Sequence, residues 1–158
     1  MTYAAVRARP DGDSTVARLA RSAAEYGYEG IVVRNHGDSP ASYDPAAIRA
    51  ATDLDLVAGV EVRASDRAAA SGYIGSNRPN HAVVAVHGGD RAMNRFSVEQ
   101  AAVDVLAHPM DGDGDLNHVL AKAARDNGVR LEVDLAPVLR ASGGTRVRAI
   151  ADLRKLLE

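Results

Sequence analysis

Short β-branched runs alternate with Ala-, Leu- and Arg-rich stretches from one end of the chain to the other, and this alternation limits the fold more than any other feature. Strands are predicted at 3–8, 30–33, 54–62, 81–86, 103–107 and 129–135. Between them, apolar residues recur at helical spacing. Val16, Leu19, Ala20 and Ala23 mark a helix over 15–26, and Asp44-Pro45 opens one to about residue 51. Ser65-Asp66 caps a stretch from Arg67, and further helices fall at 93–100, 116–127 and 145–157. Gly128 stops the fifth of these, and Thr145 caps the last. Residues 72–80, with their glycines and Pro79, read as irregular, and Asn35-His36-Gly37-Asp38 reads as a polar loop. Strands that alternate with helices build right-handed parallel β/α units. Six units fall short of an eight-stranded barrel of roughly 250 residues, and an open doubly wound sheet is the alternative.

A chain of 158 residues suits one domain over 1–158. It has no cysteine, which removes disulfides and thiolate metal sites. No apolar run reaches membrane length, and Met1-Thr2-Tyr3 does not open a signal peptide, so a cytoplasmic protein with no membrane partner is expected. The net charge of −2 speaks against an autonomous nucleic-acid binder but permits a local basic patch. Arginine far outnumbers lysine. With one Phe and no Trp, platforms for reading single-stranded RNA are scarce.

In either architecture, functional residues follow the C-terminal ends of strands. Those ends read Arg7-Ala8-Arg9, Arg34-Asn35-His36, Gly59-Val60-Glu61-Val62-Arg63, His87-Gly88-Gly89-Asp90, His108-Pro109 and Asp134. Ionisable groups are costly to bury alone, so their recurrence at one level of the sheet marks a site. His36, Glu61, His87 and His108 have the chemistry of metal ligands, and equally that of satisfied histidines at a barrel mouth. Arg7 and Arg9 oppose the metal reading, because a guanidinium cannot ligate and repels a dication. Arg34 and Arg63 are expected to neutralise Glu61 or Asp134.

The order of these motifs resembles the polymerase-and-histidinol-phosphatase (PHP) superfamily of β/α barrels. Its opening His-x-His corresponds to Arg7-Ala8-Arg9, its Asp-His to Asn35-His36, its Gly-x-Glu to Gly59-Val60-Glu61 and its His-Pro to His108-Pro109. The late Asp-x-His has no counterpart. On that mapping His36, Glu61 and His108 are remnants of a metal site. The chain is more closely similar to the archaeal ribonuclease P protein component 3 family. The match runs through residues 28–36, 59–62, 88–95 and 103–109. Its most specific stretch, 117–129, continues through Glu132-Val133-Asp134-Leu135 to Leu139-Arg140. The resemblance implies a TIM-barrel-like α/β fold, incomplete at the C-terminus, since members continue for further β/α units. It also implies an accessory subunit of the ribonucleoprotein that removes the 5′ leader of precursor tRNA. Its partners would be the catalytic RNA, component 2 and, indirectly, precursor tRNA. The chemistry would lie in the RNA, with no catalytic residue or cofactor in this chain.

The residues offer an RNA face beside that implication. Arg140, Arg146 and Arg148 flank Ser142-Gly143-Gly144-Thr145, where a glycine turn entering a helix presents free N–H groups to an anion. Arg154 and Lys155 extend the cluster and read as solvated. Arg91 and Arg95 share a helix face and suit either phosphate or a pairing with Asp90 or Asp104. Asn117-His118 has the look of a catalytic pair, but His118 lies early in an amphipathic helix and reads as a surface or helix-packing residue. Asp111-Gly112-Asp113-Gly114-Asp115 reads as a solvated loop that lacks the later glutamate of a calcium site and could cap the helix that follows. A metal-dependent phosphoesterase using His36, Glu61 and His108 is the competing function.

Overall fold

The structure is a computed structural model and describes residues 2–133 and 135–157. Six strands alternate with helices in sequential order, as in TIM-barrel-like β/α units. The chain divides into two compact units, Met1–Ala85 and Val86–Glu158, with the division inside the fourth strand. No helix among the described residues is long and apolar enough to cross a membrane.

The first unit contains β1 (Tyr3–Val6), α1 (Val16–Glu25), β2 (Gly30–His36), α2 (Pro45–Thr52), β3 (Asp55–Val62), α3 (Arg67–Asn77) and the start of β4 (Val83–His87). β1 pairs with β2 and β2 with β3, all parallel. Ile31 and Val33 of β2 are buried with Val16, Ala20 and Ala23 of α1, which is the helical stripe that the spacing predicts. Caps fix the helix starts. The Thr15 hydroxyl accepts from Arg18 N–H, and the Asp44 and Asp66 carboxylates accept from the first turns of α2 and α3.

Two expectations for this unit are corrected. β2 does not stop at Val33. It continues through Asn35 and His36, which sit opposite Val60 and Glu61 of β3. Polar side chains usually signal a loop, but here they have buried partners, and the strand runs on. Nor is 72–80 irregular, since α3 extends to Asn77 and a 3₁₀ turn covers Arg78–Asn80. Gly72 and Gly75 weaken α3 by about 1 kcal/mol each relative to alanine. Burial of Ala70 and Ile74, together with the Asp66 cap, holds it.

The second unit holds the end of β4, α4 (Arg91–Val98), β5 (Val105–Ala107), α5 (His118–Asn127), β6 (Arg130–Leu131), α6 (Ala136–Arg140) and α7 (Gly143–Leu157). β5 and β6 pair in parallel. Met93, Val98, Leu106, Leu116 and Ala124 are among its buried residues. Gly128 closes α5 in the left-handed conformation. β6 is far shorter than the predicted 129–135, and α6 was not foreseen. The apolar run there resembles a strand, yet Val133 and Leu135 are exposed. α7 begins at Gly143, so Thr145 lies inside the first turn and does not cap it.

Candidate functional site

The ends of β1, β2 and β3 converge on one carboxylate. Glu61 is fully buried. Its Oε2 accepts from Arg7 Nη2 at 2.5 Å and lies 3.2 Å from Arg34 Nη2. The Arg34 side chain is 9% exposed and that of Arg7 31%. A carboxylate cannot stay ionised in an apolar interior without such partners. The expected pairing of Arg34 with Glu61 is therefore present. That of Arg63 is not: Arg63 is exposed and has no ion pair among the described residues. Asp134, its other expected partner, lies outside the described residues.

His36 forms the next layer. Its Nδ1 is 2.6 Å from Asp11 Oδ1, and its backbone N–H donates to Asp11 Oδ2 at 2.9 Å. Burial opposes ionisation of Asp11. The backbone and ring hydrogen bonds from His36, with the charges of His36 and Arg7, outweigh it and hold the carboxyl below its ordinary value of 3.8. An ionised carboxylate only accepts, so Nδ1 carries the proton. Nε2 then faces Glu61 Oε1 at 3.6 Å, beyond hydrogen-bond reach, with no hydrogen-bond partner among the described residues. Sequence reasoning did not single out Asp11. An acid two residues past the strand-end arginines was the available signal.

Asn35 uses both ends of its amide. Its Nδ2 donates to the carbonyls of Ala8 at 2.7 Å and Ser39 at 2.9 Å, while its Oδ1 accepts from Ala8 N–H at 2.9 Å. An aspartate could not donate, so the amide is a structural clamp between the ends of β1 and β2. Gly59 is required by packing, since a Cβ there would sit 2.8 Å from Val32 Cγ1. Arg9 lies outside the cluster and donates to the carbonyl of Asp13. Within the first unit Arg7, Arg34 and His36 therefore lie around Glu61. Two guanidiniums beside that carboxylate oppose a dication at its Oε2.

In the second unit, His87 ends β4 and His108 follows β5. The His87 and His108 rings lie 4.7 Å apart at 33°. His108 Nε2 is 3.7 Å from Glu132 Oε1, and its Nδ1 is 3.7 Å from Asp111 Oδ2. His108 adopts a φ of 50°, which is strained for a non-glycine residue. Asn94, fully buried, organises the surroundings. Its Nδ2 donates to the carbonyls of Pro109 and Asp115, and its Oδ1 accepts from Gly89 N–H. A Cβ on Gly88 would lie 2.3 Å from that oxygen, which accounts for the glycine. The 111–115 loop is thus tied back by Asn94, and Asn117, not an aspartate, caps α5. His118 is exposed.

Arg140, Arg146 and Arg148 are exposed and make no ion pair among the described residues; Arg91 is the same at the start of α4. Arg95 does not reach Asp90 or Asp104. It pairs with Glu99 at 2.9 Å on the surface, while Asp90 caps α4. The Lys155 side chain lies outside the described residues.

Comparison with known proteins adds three findings. The family model described as RNase P subunit p30 matches residues 2–158. Proteins named ribonuclease P protein component 3 from Haloarcula marismortui and Natronomonas pharaonis are 65% and 56% identical, each over 99% of this chain. One from Methanosarcina mazei is 37% identical over 97% of it. The chain spans about two thirds of the length of these relatives: 66%, 65% and 64%. A chain in a cryo-EM structure of archaeal ribonuclease P with mature tRNA shares the fold, with a TM-score of 0.78. It is 22% identical, and the match covers 98% of this chain and 67% of that one.

Proposed function

The chain belongs to the RNase P subunit p30 family, and from that premise we propose that it is a protein subunit of ribonuclease P that supports a catalytic RNA in 5′ maturation of precursor tRNA. We read residues 1–158 as one β/α domain of that subunit, working in the cytoplasm with the ribonuclease P RNA and protein component 2. The observation that carries this reading is the closure of Glu61 by Arg7 and Arg34. Permanent cations hold the acid that a hydrolytic centre of this fold needs for metal, so the hydrolytic step is assigned to the RNA.

The RNA face in this reading comprises Arg140, Arg146, Arg148, Arg91 and Arg95. Exposed guanidiniums without partners suit forked phosphate contacts. The Arg95–Glu99 pair is exposed and worth at most about 1 kcal/mol, so phosphate can displace it. Reconstitution with the catalytic RNA tests the proposal. Cleavage of precursor tRNA should rise when this chain is added with component 2, and the Arg146→Ala, Arg148→Ala variant should lose much of that gain. No gain from the wild-type chain would contradict the reading.

A second reading has a specific observation behind it. His108, with its ring 4.7 Å from that of His87 and its Nε2 3.7 Å from Glu132 Oε1, offers a metal-ligand type in the second unit. Metal analysis of untagged protein, followed by a phosphoester assay, separates the two. Tightly bound stoichiometric metal whose removal abolishes hydrolysis would favour a phosphoesterase.

A further inference from the structure

A cavity of about 150 Å³ opens beyond the ends of β2 and β3, lined by Gly37, Asp38, Val62, Arg63, Tyr73 and Asn77. It is separate from the buried Glu61 cluster. Its chemistry is mixed in a particular way. Val62 is a buried apolar residue at its lining. Tyr73 is one of few aromatic residues in the chain and is 53% exposed, so its ring is available to a ligand. Arg63 is exposed on the same lining, and among the described residues it forms neither a hydrogen bond nor an ion pair. Asn77 donates its amide N–H to the carbonyl of Tyr73, which fixes the side chain and leaves its carbonyl oxygen as an acceptor. Gly37 adds no side chain, so the backbone can be approached closely.

We propose that this cavity binds a single unpaired ribonucleotide, with the base stacked on Tyr73 and its phosphate on Arg63. The inference rests on the RNA-supporting role proposed above and gives that role a second contact, apart from the arginines of the second unit. An aromatic face and a guanidinium together match a base and its phosphate, which is the pairing used wherever unstacked nucleotides are held. Asp38 limits the occupant. Its carboxylate accepts from a ribose hydroxyl or a base amino group and repels a second phosphate, so the site suits one nucleotide and not a backbone track. This also reconciles the pocket with the scarcity of aromatics: one stacking residue holds one base.

The test measures binding of a labelled unpaired pentaribonucleotide to the full chain, alongside cleavage in the reconstituted holoenzyme. Tyr73→Ala should weaken pentanucleotide binding about tenfold, the scale of one lost base stack, and Tyr73→Phe should restore it. Arg63→Ala should lower the slope of log affinity against log salt by about 1. Inorganic phosphate alone should compete poorly. If Tyr73→Ala and Arg63→Ala bind like the wild type while the wild-type chain still stimulates cleavage, the pocket assignment fails and the subunit role stands. If a protein partner cross-links at Tyr73 and the pentanucleotide does not bind, the pocket assignment also fails. If the wild-type chain neither binds RNA nor stimulates cleavage, the subunit role itself fails.

Discussion

Arginine does opposite things at two places in this molecule. In the first unit Arg7 and Arg34 turn onto Glu61, and its negative charge is compensated inside the fold. In the second, Arg140, Arg146 and Arg148 point to solvent and have no ion-pair partner among the described residues. The same side chain is an internal counter-ion in one place and an available cation in the other. The difference is set by what lies next to it: a buried carboxylate at a strand end in the first case, a glycine turn and an exposed helix in the second. Position at a strand end, which marks function in many β/α proteins, here gathers a buried ion-pair cluster.

Breaking the internal cluster should have the largest effect. Glu61→Ala leaves Arg34 buried beside a missing acid and should cost about 3–5 kcal/mol in denaturant unfolding. Asn35→Asp removes two donated hydrogen bonds and sets a carboxylate against the carbonyls of Ala8 and Ser39. A loss of about 1–3 kcal/mol is expected.

Asp11 sharpens the comparison by pH. Its folded pKa lies below its ordinary value of 3.8. The stabilisation is therefore complete above that value and is lost as pH falls through the folded one. Unfolding midpoints between pH 6 and pH 3 should fall less steeply for Asp11→Asn than for the wild type. An unchanged acid limb would place the Asp11–His36 contact outside the energetics.

The smallest stability effect belongs to the second unit. Arg146→Ala with Arg148→Ala should shift unfolding by no more than about 0.5 kcal/mol while reducing the salt dependence of RNA binding. A large destabilisation would mean that these arginines are structural after all, and the contrast between the two places would collapse.

Much of this was legible in the sequence, and the failures have physical reasons. Helical periodicity located α1 and α5, because an apolar stripe facing a sheet leaves a strong repeat, and Asp44-Pro45 located the start of α2. Val129–Leu135 misled because a short apolar run does not distinguish a buried strand from an exposed connection and helix. Asn35 and His36 misled for the opposite reason: their polarity suggested a loop, and only tertiary partners keep them in β2. The motif positions placed Arg7 at the end of β1, and the pairing of Arg34 with Glu61 was expected from their strand ends. That Glu61 is closed by Arg7 as well as Arg34 required the structure, since the two arginines are far apart in sequence. The pocket at Tyr73 was hidden because the glycines of α3 suggested no helix there.

The most direct test of the account is precursor-tRNA cleavage by a holoenzyme reconstituted with Glu61→Gln, expressed per folded protein molecule at a temperature where circular dichroism shows the variant folded. If Glu61 belongs to the framework, stimulation per folded molecule should match the wild type, with only thermal stability reduced. A fall of a hundredfold or more in cleavage by fully folded protein would place Glu61 in the chemistry and contradict the account.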